Sequence, residues 1–289
     1  MLERAIWTIC YILLAPLLGG FLSGLERKVG ARMQGRKGPS VWQSFRDVKK
    51  LFSKKSQQVN GGQMFLVISY FFFVVVTGTL IFAGYDLLLA FFTLTTASMF
   101  LVAAGSCTHS PYSLIGANRE MIQMMAYEPM VLLTAVGFYL ACGDFDVQSI
   151  ATAGGWLPIV KLPGVFIGFM FILTIKLRKS PFDISTSHHA HQEIVKGITT
   201  EMSGPMLGIF EISEWYEKVF LTAIVGLFFV NGSPLSYVVA VVVMFLAFFI
   251  EILIDNSCAR LSWEQMLKSS WFATIVFGGI NIVVLQILK

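Results

Sequence analysis

Long uncharged runs alternate with short charged segments along the whole chain. Ala5 to Leu25 carries no charged residue, nor does Met64 to Tyr85, and Leu87 to Cys107 follows after Asp86 alone. A helix needs about 20 predominantly apolar residues to cross the hydrocarbon core of a bilayer, so each run predicts a span, and the second and third form a tight hairpin. Met121 to Cys142 is a fourth, interrupted only by Glu128, and Pro158 to Leu177 a shorter fifth with Lys161 near its start and Lys176 near its end. Met206 to Val230 carries Glu211, Glu214, Glu217 and Lys218 in its first half. Asn231-Gly232-Ser233-Pro234 is a turn signal, after which Leu235 to Asp255 and Ser269 to Leu288 close the series. Strands of a membrane barrel alternate apolar and polar positions over about ten residues, whereas these runs are continuous.

The pattern therefore predicts an all-α integral membrane protein with one membrane domain over residues 1–289. Eight transmembrane helices are expected at about 5–25, 64–85, 87–107, 121–142, 158–177, 206–230, 235–255 and 269–288. A further amphipathic helix is expected at about 40–53, where Val41, Trp42, Phe45, Val48, Leu51 and Phe52 form a stripe with Arg46, Lys49 and Lys50 elsewhere. Ser40 and Gln43 have the spacing of a capping box at its start. Such a helix lies in the membrane interface with its basic face toward anionic headgroups, which makes membrane lipids the first expected partners.

Composition agrees with this reading. Apolar residues make up 56% and charged residues 13% of the 289, against roughly 25% charge in soluble chains, and the mean hydropathy is +0.73. The formal net charge of +4 is explained by topology rather than by nucleic-acid binding. Ten of the 21 Lys and Arg lie between the first and second spans, and seven more lie in or beside the third–fourth, fifth–sixth and seventh–eighth connections. The positive-inside rule places these main loops in the cytoplasm and both termini outside. The first span lacks a small-residue cleavage site, and its basic cluster follows rather than precedes it, so it reads as a retained helix rather than a signal peptide.

Cys10, Cys107, Cys142 and Cys258 are scattered, with none of the clustering that holds zinc, haem or an iron–sulfur centre. A self-contained redox enzyme or zinc hydrolase is disfavoured, and no cofactor or metal is expected on this chain. His188, His189 and His191 fall within four residues of the fifth–sixth loop, with Glu193 nearby. Their titration near neutrality suits a docking or proton-relay role better than a metal site. The acids inside spans are more informative, because a lone charge at mid-bilayer costs roughly 2.5–3.5 kcal/mol and therefore faces a cavity or a partner. Glu211, Glu214 and Lys218 share one helical face; Glu128, Glu211 and Glu214 are expected to line a wet proton or ion path. Glu217 and Asp255 read instead as paired or snorkelling charges, and Glu251 and Asp255 repeat the i, i+4 spacing.

These pieces, in order, resemble the membrane subunit 1 family of respiratory complex I and its relatives in energy-converting [NiFe] hydrogenases. The resemblance rests on Glu26-Arg27 through Gly38-Pro39 with Asp47 and Lys50-Leu51-Phe52, and on Tyr112 to Glu120 with Tyr127-Glu128. It continues through Pro181-Phe182-Asp183, Glu193 to Gly197, Glu201 and Glu214-Trp215-Tyr216. After Asp183 the chain reads Ile184-Ser185-Thr186-Ser187-His188-His189-Ala190-His191-Gln192-Glu193, which is similar to the ferredoxin-linked hydrogenase branch rather than to the quinone-reducing one. That branch implies a non-redox subunit anchoring a [NiFe] large subunit and an iron–sulfur small subunit beside an antiporter-like membrane subunit in a prokaryotic cytoplasmic membrane, with the [NiFe] centre and iron–sulfur clusters in those partners. It implies a proton or ion path through Glu128, Asp183, Glu193, Glu201, Glu211 and Glu214. Arg27, Arg32, Arg36, Arg119, His188, His189 and His191 then become docking or coupling residues. The alternatives are a quinone-cavity subunit of a complex I-like enzyme and a freestanding ion transporter; the latter is disfavoured by the absence of a convincing internal repeat.

Overall fold

The computed structural model describes residues 2–56, 60–182 and 194–288. All described elements are helical. They are α1 (Leu2–Met33), α2 (Gln43–Phe52), α3 (Gly61–Phe82), α4 (Leu87–Ser106), α5 (Pro111–Cys142), α6 (Val147–Thr152), α7 (Pro158–Lys161) and α8 (Pro163–Lys176). After a 3₁₀ turn at Ile194–Lys196 come α9 (Gly197–Thr200), α10 (Pro205–Leu227), α11 (Pro234–Ser257) and α12 (Trp263–Ala273). A π-helical segment, Thr274–Gly279, joins α12 to α13 (Ile280–Ile287) without a break. Among the described residues, six helical stretches are long and apolar enough to cross a membrane: Arg4–Met33, α3, α4, α5, α11 and Trp263–Ile287. α8 is apolar but shorter, and α10 has 23 residues with its four charges in the first two-thirds.

Large apolar side chains are exposed over much of the surface. Leu13, Phe65, Phe72, Val238, Phe245 and Phe272 are all more than half exposed, while Phe91, Phe138, Phe169, Phe220 and Phe228 are sealed inside. A soluble protein does not present contiguous apolar surface on this scale. Phe138, Phe166 and Phe169 all meet Phe228, with ring centroids 4.6, 5.3 and 6.1 Å away, and this contact ties α5, α8 and the end of α10 together.

Several expected boundaries shift, each for a local reason. α1 and α5 have 32 residues apiece, about 48 Å at 1.5 Å per residue, against a hydrocarbon core of about 30 Å. The runs expected at 5–25 and 121–142 stop where charges begin, but the helices continue because their charged ends pack against other elements. α5 starts at Pro111, a favoured first helical position, ten residues before the expected start. The expected fifth span is two helices: Leu162 takes φ −120° and ψ 41°, because the residue before a proline is driven away from helical angles. Asn281 closes that break, its Nδ2 donating to the Lys161 carbonyl at 3.1 Å and its Oδ1 accepting from the Val165 N–H at 3.1 Å.

The last helix begins at Trp263, earlier than the expected 269, on a capping box between Ser262 and Gln265. The capping box expected at Ser40 and Gln43 does not form: Trp42 precedes α2 with no side-chain cap. α2 is otherwise the expected short amphipathic helix, packed on α1 and α10. Its approach requires Gly24, where a Cβ would collide with the Val41 carbonyl oxygen.

Candidate functional site

The interior of the bundle holds an unusual number of charges, and α8 distributes three of them. The helix ends in a Schellman-type turn: the Arg178 N–H donates to the Ile175 carbonyl at 2.9 Å and the Lys179 N–H to that of Thr174 at 3.0 Å. The residue at the reversal normally is glycine, yet here it is Arg178 at φ 52°, the one positive-φ residue other than glycine among the described residues. A side chain in this conformation costs roughly 1–2 kcal/mol, and such strain collects at functional positions. The reversal sends Lys176, Arg178 and Lys179 in three directions, each onto a carboxylate.

Lys176 points into the bundle. Its Nζ lies 2.9 Å from Glu217 on α10, both side chains being 7% exposed, and it donates to Ser98 Oγ on α4 at 2.9 Å and Tyr127 Oη on α5 at 3.1 Å. Tyr70 on α3 donates to the other Glu217 oxygen at 3.2 Å. Arg178 uses separate nitrogens for Glu214 on α10, at 2.7 Å, and Glu120 on α5, at 3.0 Å, with its guanidinium over the Phe210 ring. Lys179 pairs with Glu26 on α1 at 3.1 Å, and the second Glu26 oxygen takes Lys218 of α10 at 2.7 Å. Charges taken out of water in this way are tolerated only when paired and hydrogen-bonded.

These pairs surround a cavity of about 580 Å³. Exposed Arg27, Gln34 and Arg36 lie at its rim, and Glu211, Glu214, Glu217, Lys176, Arg178 and Lys218 line its interior. Beyond its inner end, Lys176 reaches Tyr127, and the next residue on α5 is Glu128. The Glu128 Oε1 atom is buried with no hydrogen-bond partner among the described residues, and Lys176 is its main electrostatic neighbour. Pro129 follows directly inside the helix and lacks an N–H for the Met125 carbonyl, which leaves a second polar group beside Glu128. The arrangement is a chain of alternating carboxylates, cations and hydroxyls running from an open polar cavity into the apolar bundle.

Of the residues expected on the path, Glu211 and Glu214 line the cavity on their shared face, and Glu128 sits at the chain's inner end, in the middle of α5. Glu201 ends α9, half-buried and away from the cavity lining. Gly116 and Gly197 allow α9 to seat on α5: a Cβ on Gly116 would come within 2.9 Å of the 194–198 backbone. Asp183, His188, His189, His191 and Glu193 lie outside the described residues. Of the expected docking arginines, Arg27 pairs with Asp47 of α2 at 2.7 Å, Arg36 lines the cavity rim, Arg32 is exposed, and Arg119 lies over the Trp263 ring at 5.0 Å.

Lys176, Glu120, Glu217, Lys179 and Lys218 do not appear among the expected path residues although they hold it together. Their signal was present, since each is a charge inside or at the end of an apolar run. Among the described residues, no group of three or more His, Cys, Asp and Glu side chains is arranged to hold a metal ion.

A lipid-facing helical bundle with paired charges along its interior defines the class: an integral membrane protein built to keep ionisable groups inside the bilayer. A family model described as NADH dehydrogenase matches residues 6–286. The chain belongs to that family, as its ordered motifs imply. It is 28% identical over 273 residues to hydrogenase-4 component C of Escherichia coli K12, covering 86% of this chain and 84% of that one. It is 29% identical over 295 residues to formate hydrogenlyase subunit 4 of the same organism, covering 91% and 93%. Identity to a NADH-quinone oxidoreductase subunit of Methylococcus capsulatus is 30% over 207 residues, 68% and 64% of the two chains. The fold matches a chain of the membrane-bound sulfane sulfur reductase, an archaeal respiratory membrane complex, with a TM-score of 0.83 at 22% identity over 98% and 99% of the chains.

Proposed function

We propose that this chain is the membrane-anchor and coupling subunit of an energy-converting, membrane-bound [NiFe] hydrogenase, linking ferredoxin-dependent proton reduction in partner subunits to translocation of H⁺ or Na⁺. The observation that carries the reading is the charge chain from the cavity through Arg178, Glu214, Lys176 and Glu217 to Glu128. Groups that exchange protons and pairings in a low-dielectric interior transmit a charge change at one end to the other, provided that the two states bind protons differently. The chain itself performs no redox step. The [NiFe] large subunit and the iron–sulfur small subunit dock on the cytoplasmic loops over Arg27, Arg32, Arg36, Arg119 and the segment containing Asp183, His188, His189, His191 and Glu193. An antiporter-like membrane subunit receives the signal in the bilayer. Six long apolar helices together with α8 and α10 make eight spans, with both termini outside the prokaryotic cytoplasmic membrane.

The similarity to hydrogenase-4 component C and formate hydrogenlyase subunit 4 over most of the chain supports this branch. The quinone-cavity reading is favoured by the relatives named as NADH-quinone oxidoreductase subunits. The cavity argues against it: eleven of its seventeen lining residues are Asp, Glu, Lys or Arg, whereas sites for small hydrophobic molecules are lined mostly by apolar side chains.

Gentle purification of the tagged chain with its partners separates the readings. Co-purification of a nickel-containing subunit with quinone-independent, ferredoxin-driven hydrogen evolution is expected, while recovery with quinone-reactive subunits would move the chain to the other branch. In the same preparation Glu214→Gln is expected to keep hydrogen evolution within about two-fold and to lose most of the ion translocation, roughly ten-fold or more, the scale of one decade per 1.4 kcal/mol. A variant that translocates normally removes Glu214 from the path.

A further inference from the structure

At the end of the bundle opposite the charged cavity, α1 and α11 part. Toward the cavity end the two helices touch: the Gln34 side chain donates to Asn256 Oδ1 at 3.0 Å, and a Cβ on Gly30 would meet the Asn256 amide at 3.4 Å. Toward the other end, α10 and the last turn of α3 lie open between them, and a groove of about 500 Å³ follows the gap. Trp7 of α1, Phe82 of α3, Ala223 and Leu227 of α10, and Val241 and Met244 of α11 wall it. Apart from Arg4, Gln148 and Thr152, its nineteen lining residues are aliphatic, aromatic, methionine or glycine. The one charge is Arg4, half-buried in the first turn of α1. Its Nε and Nη2 donate to Gln148 Oε1 at 3.1 and 2.9 Å, and its guanidinium lies over the Tyr85 ring at 4.9 Å. Both partners are neutral, and none of the ion pairs among the described residues includes Arg4. Trp7 and Tyr237, both exposed on the groove walls, are the residue types that sit at the level of lipid headgroups.

The shape selects the occupant. A membrane-spanning helix is about 10–12 Å across with its side chains and runs through a hydrocarbon core of about 30 Å. From Tyr237 to Met244 the α11 wall is only about 10 Å long at 1.5 Å per residue, and the contact at Asn256 closes the gap beyond it. A spanning helix of another subunit would bridge this groove without filling it, whereas a hydrocarbon chain from one leaflet matches its depth. We propose that the groove binds one membrane phospholipid, with a hydrocarbon chain between α1 and α11 and the phosphate on Arg4. The guanidinium supplies the charge-assisted hydrogen bonds that a phosphate accepts, and the mostly apolar lining with a few polar groups at one end is the usual form of a site for such a molecule. The lipid holds α1 and α11 together at the end where they do not touch. This site is independent of which electron-transfer complex the chain serves.

The test is photolabelling of the intact complex, with its partner subunits, in vesicles of phosphatidylethanolamine and phosphatidylglycerol. These contain a trace of phosphatidylglycerol with a diazirine midway along one acyl chain, and labelled residues are read by peptide mass spectrometry. Ala223, Val241 and Met244 in the groove are expected to label more strongly than Phe245, which is exposed at the same depth of α11 outside the groove. Arg4→Gln lowers groove labelling about five-fold, the scale of one basic side chain on an anionic lipid, and leaves Phe245 unchanged; Arg4→Lys, which keeps the charge, retains most of it. Ala223→Phe, which fills the floor of the groove, abolishes it, and if that variant does not assemble the two Arg4 variants decide alone. Groove labelling no stronger than that of Phe245, or unaffected by Arg4→Gln, overturns the proposal. So does capture of a partner subunit by a photoreactive residue placed at Val241 while the groove stays unlabelled by lipid, because a protein then covers it.

Discussion

At the scale of single residues, the Lys176–Glu217 pair shows why buried charges in this chain come in sets. Removing one partner strands the other in an apolar interior, a cost of about 3–5 kcal/mol, whereas replacing both by apolar groups is often neutral or better. Lys176→Met alone is therefore expected to lower the denaturation temperature of the purified complex sharply, and Lys176→Met with Glu217→Leu to recover most of the loss. Ion translocation should remain abolished in both. Equal losses in the single and double variants would mean that the two side chains do not act as a pair. Arg178 poses the opposite conflict between backbone and side chain. Glycine relieves the roughly 1–2 kcal/mol of left-handed strain but leaves Glu120 and Glu214 without their shared cation. Net destabilisation of Arg178→Gly in the same thermal assay is the expected outcome, because orphaning buried Glu120 and half-buried Glu214 outweighs one relaxed residue.

At the scale of elements, the interruptions decide where the site is. α8 is short because Pro163 separates it from α7, and that shortness puts the Schellman turn with Lys176, Arg178 and Lys179 inside the bundle instead of beyond it. Asn281 satisfies both backbone groups at the break, so Asn281→Ala leaves the Lys161 carbonyl and the Val165 N–H without this partner, each worth about 1–3 kcal/mol when buried. The expected result is faster amide hydrogen exchange in 158–166, with α3 and α4 unchanged; unaltered exchange at Val165 would show that water replaces the side chain. This is also the level at which the sequence was legible and then ceased to be. Apolar runs located the elements, and the shared face of Glu211, Glu214 and Lys218 located the cavity wall, because helical periodicity alone fixes both. The extensions of α1 to Met33 and of α5 back to Pro111 were not legible: a charged turn reads as a membrane edge unless its partner, distant along the chain, is known. For the same reason Lys176, Glu120 and Glu26 gave no sign of their partners, since pairing across helices is a tertiary fact.

At the scale of the whole molecule, the two ends of the bundle differ in kind. One end carries the loop between α1 and α2, the end of α8 and the rim arginines of the cavity. The other carries short turns with Asp86, Asp144 and Asp146, and Arg4 and Lys161 are the cations near them. Arg4 there donates to Gln148 at 2.9 Å and lies over the Tyr85 ring, while Lys161 caps α5 through the Ala141 carbonyl at 2.8 Å, so both cations hold helix ends. The asymmetry is of the kind that the positive-inside rule uses, which counts Lys and Arg in short loops, and it predicts that the cavity end faces the cytoplasm. Three membrane crossings (α3, α4 and α5) separate Lys37 from Trp156, so the two positions should face opposite sides. With the four native cysteines replaced, a cysteine at Lys37 is expected to react with an impermeant maleimide only in inside-out vesicles, and one at the exposed Trp156 only in right-side-out vesicles or intact cells. The reverse pattern would place the cavity mouth on the outer face, where no cytoplasmic electron-transfer subunit could reach it. Labelling of both positions in one vesicle type would require an even number of crossings between them, so that one of α3, α4 and α5 would have to lie within the membrane without traversing it.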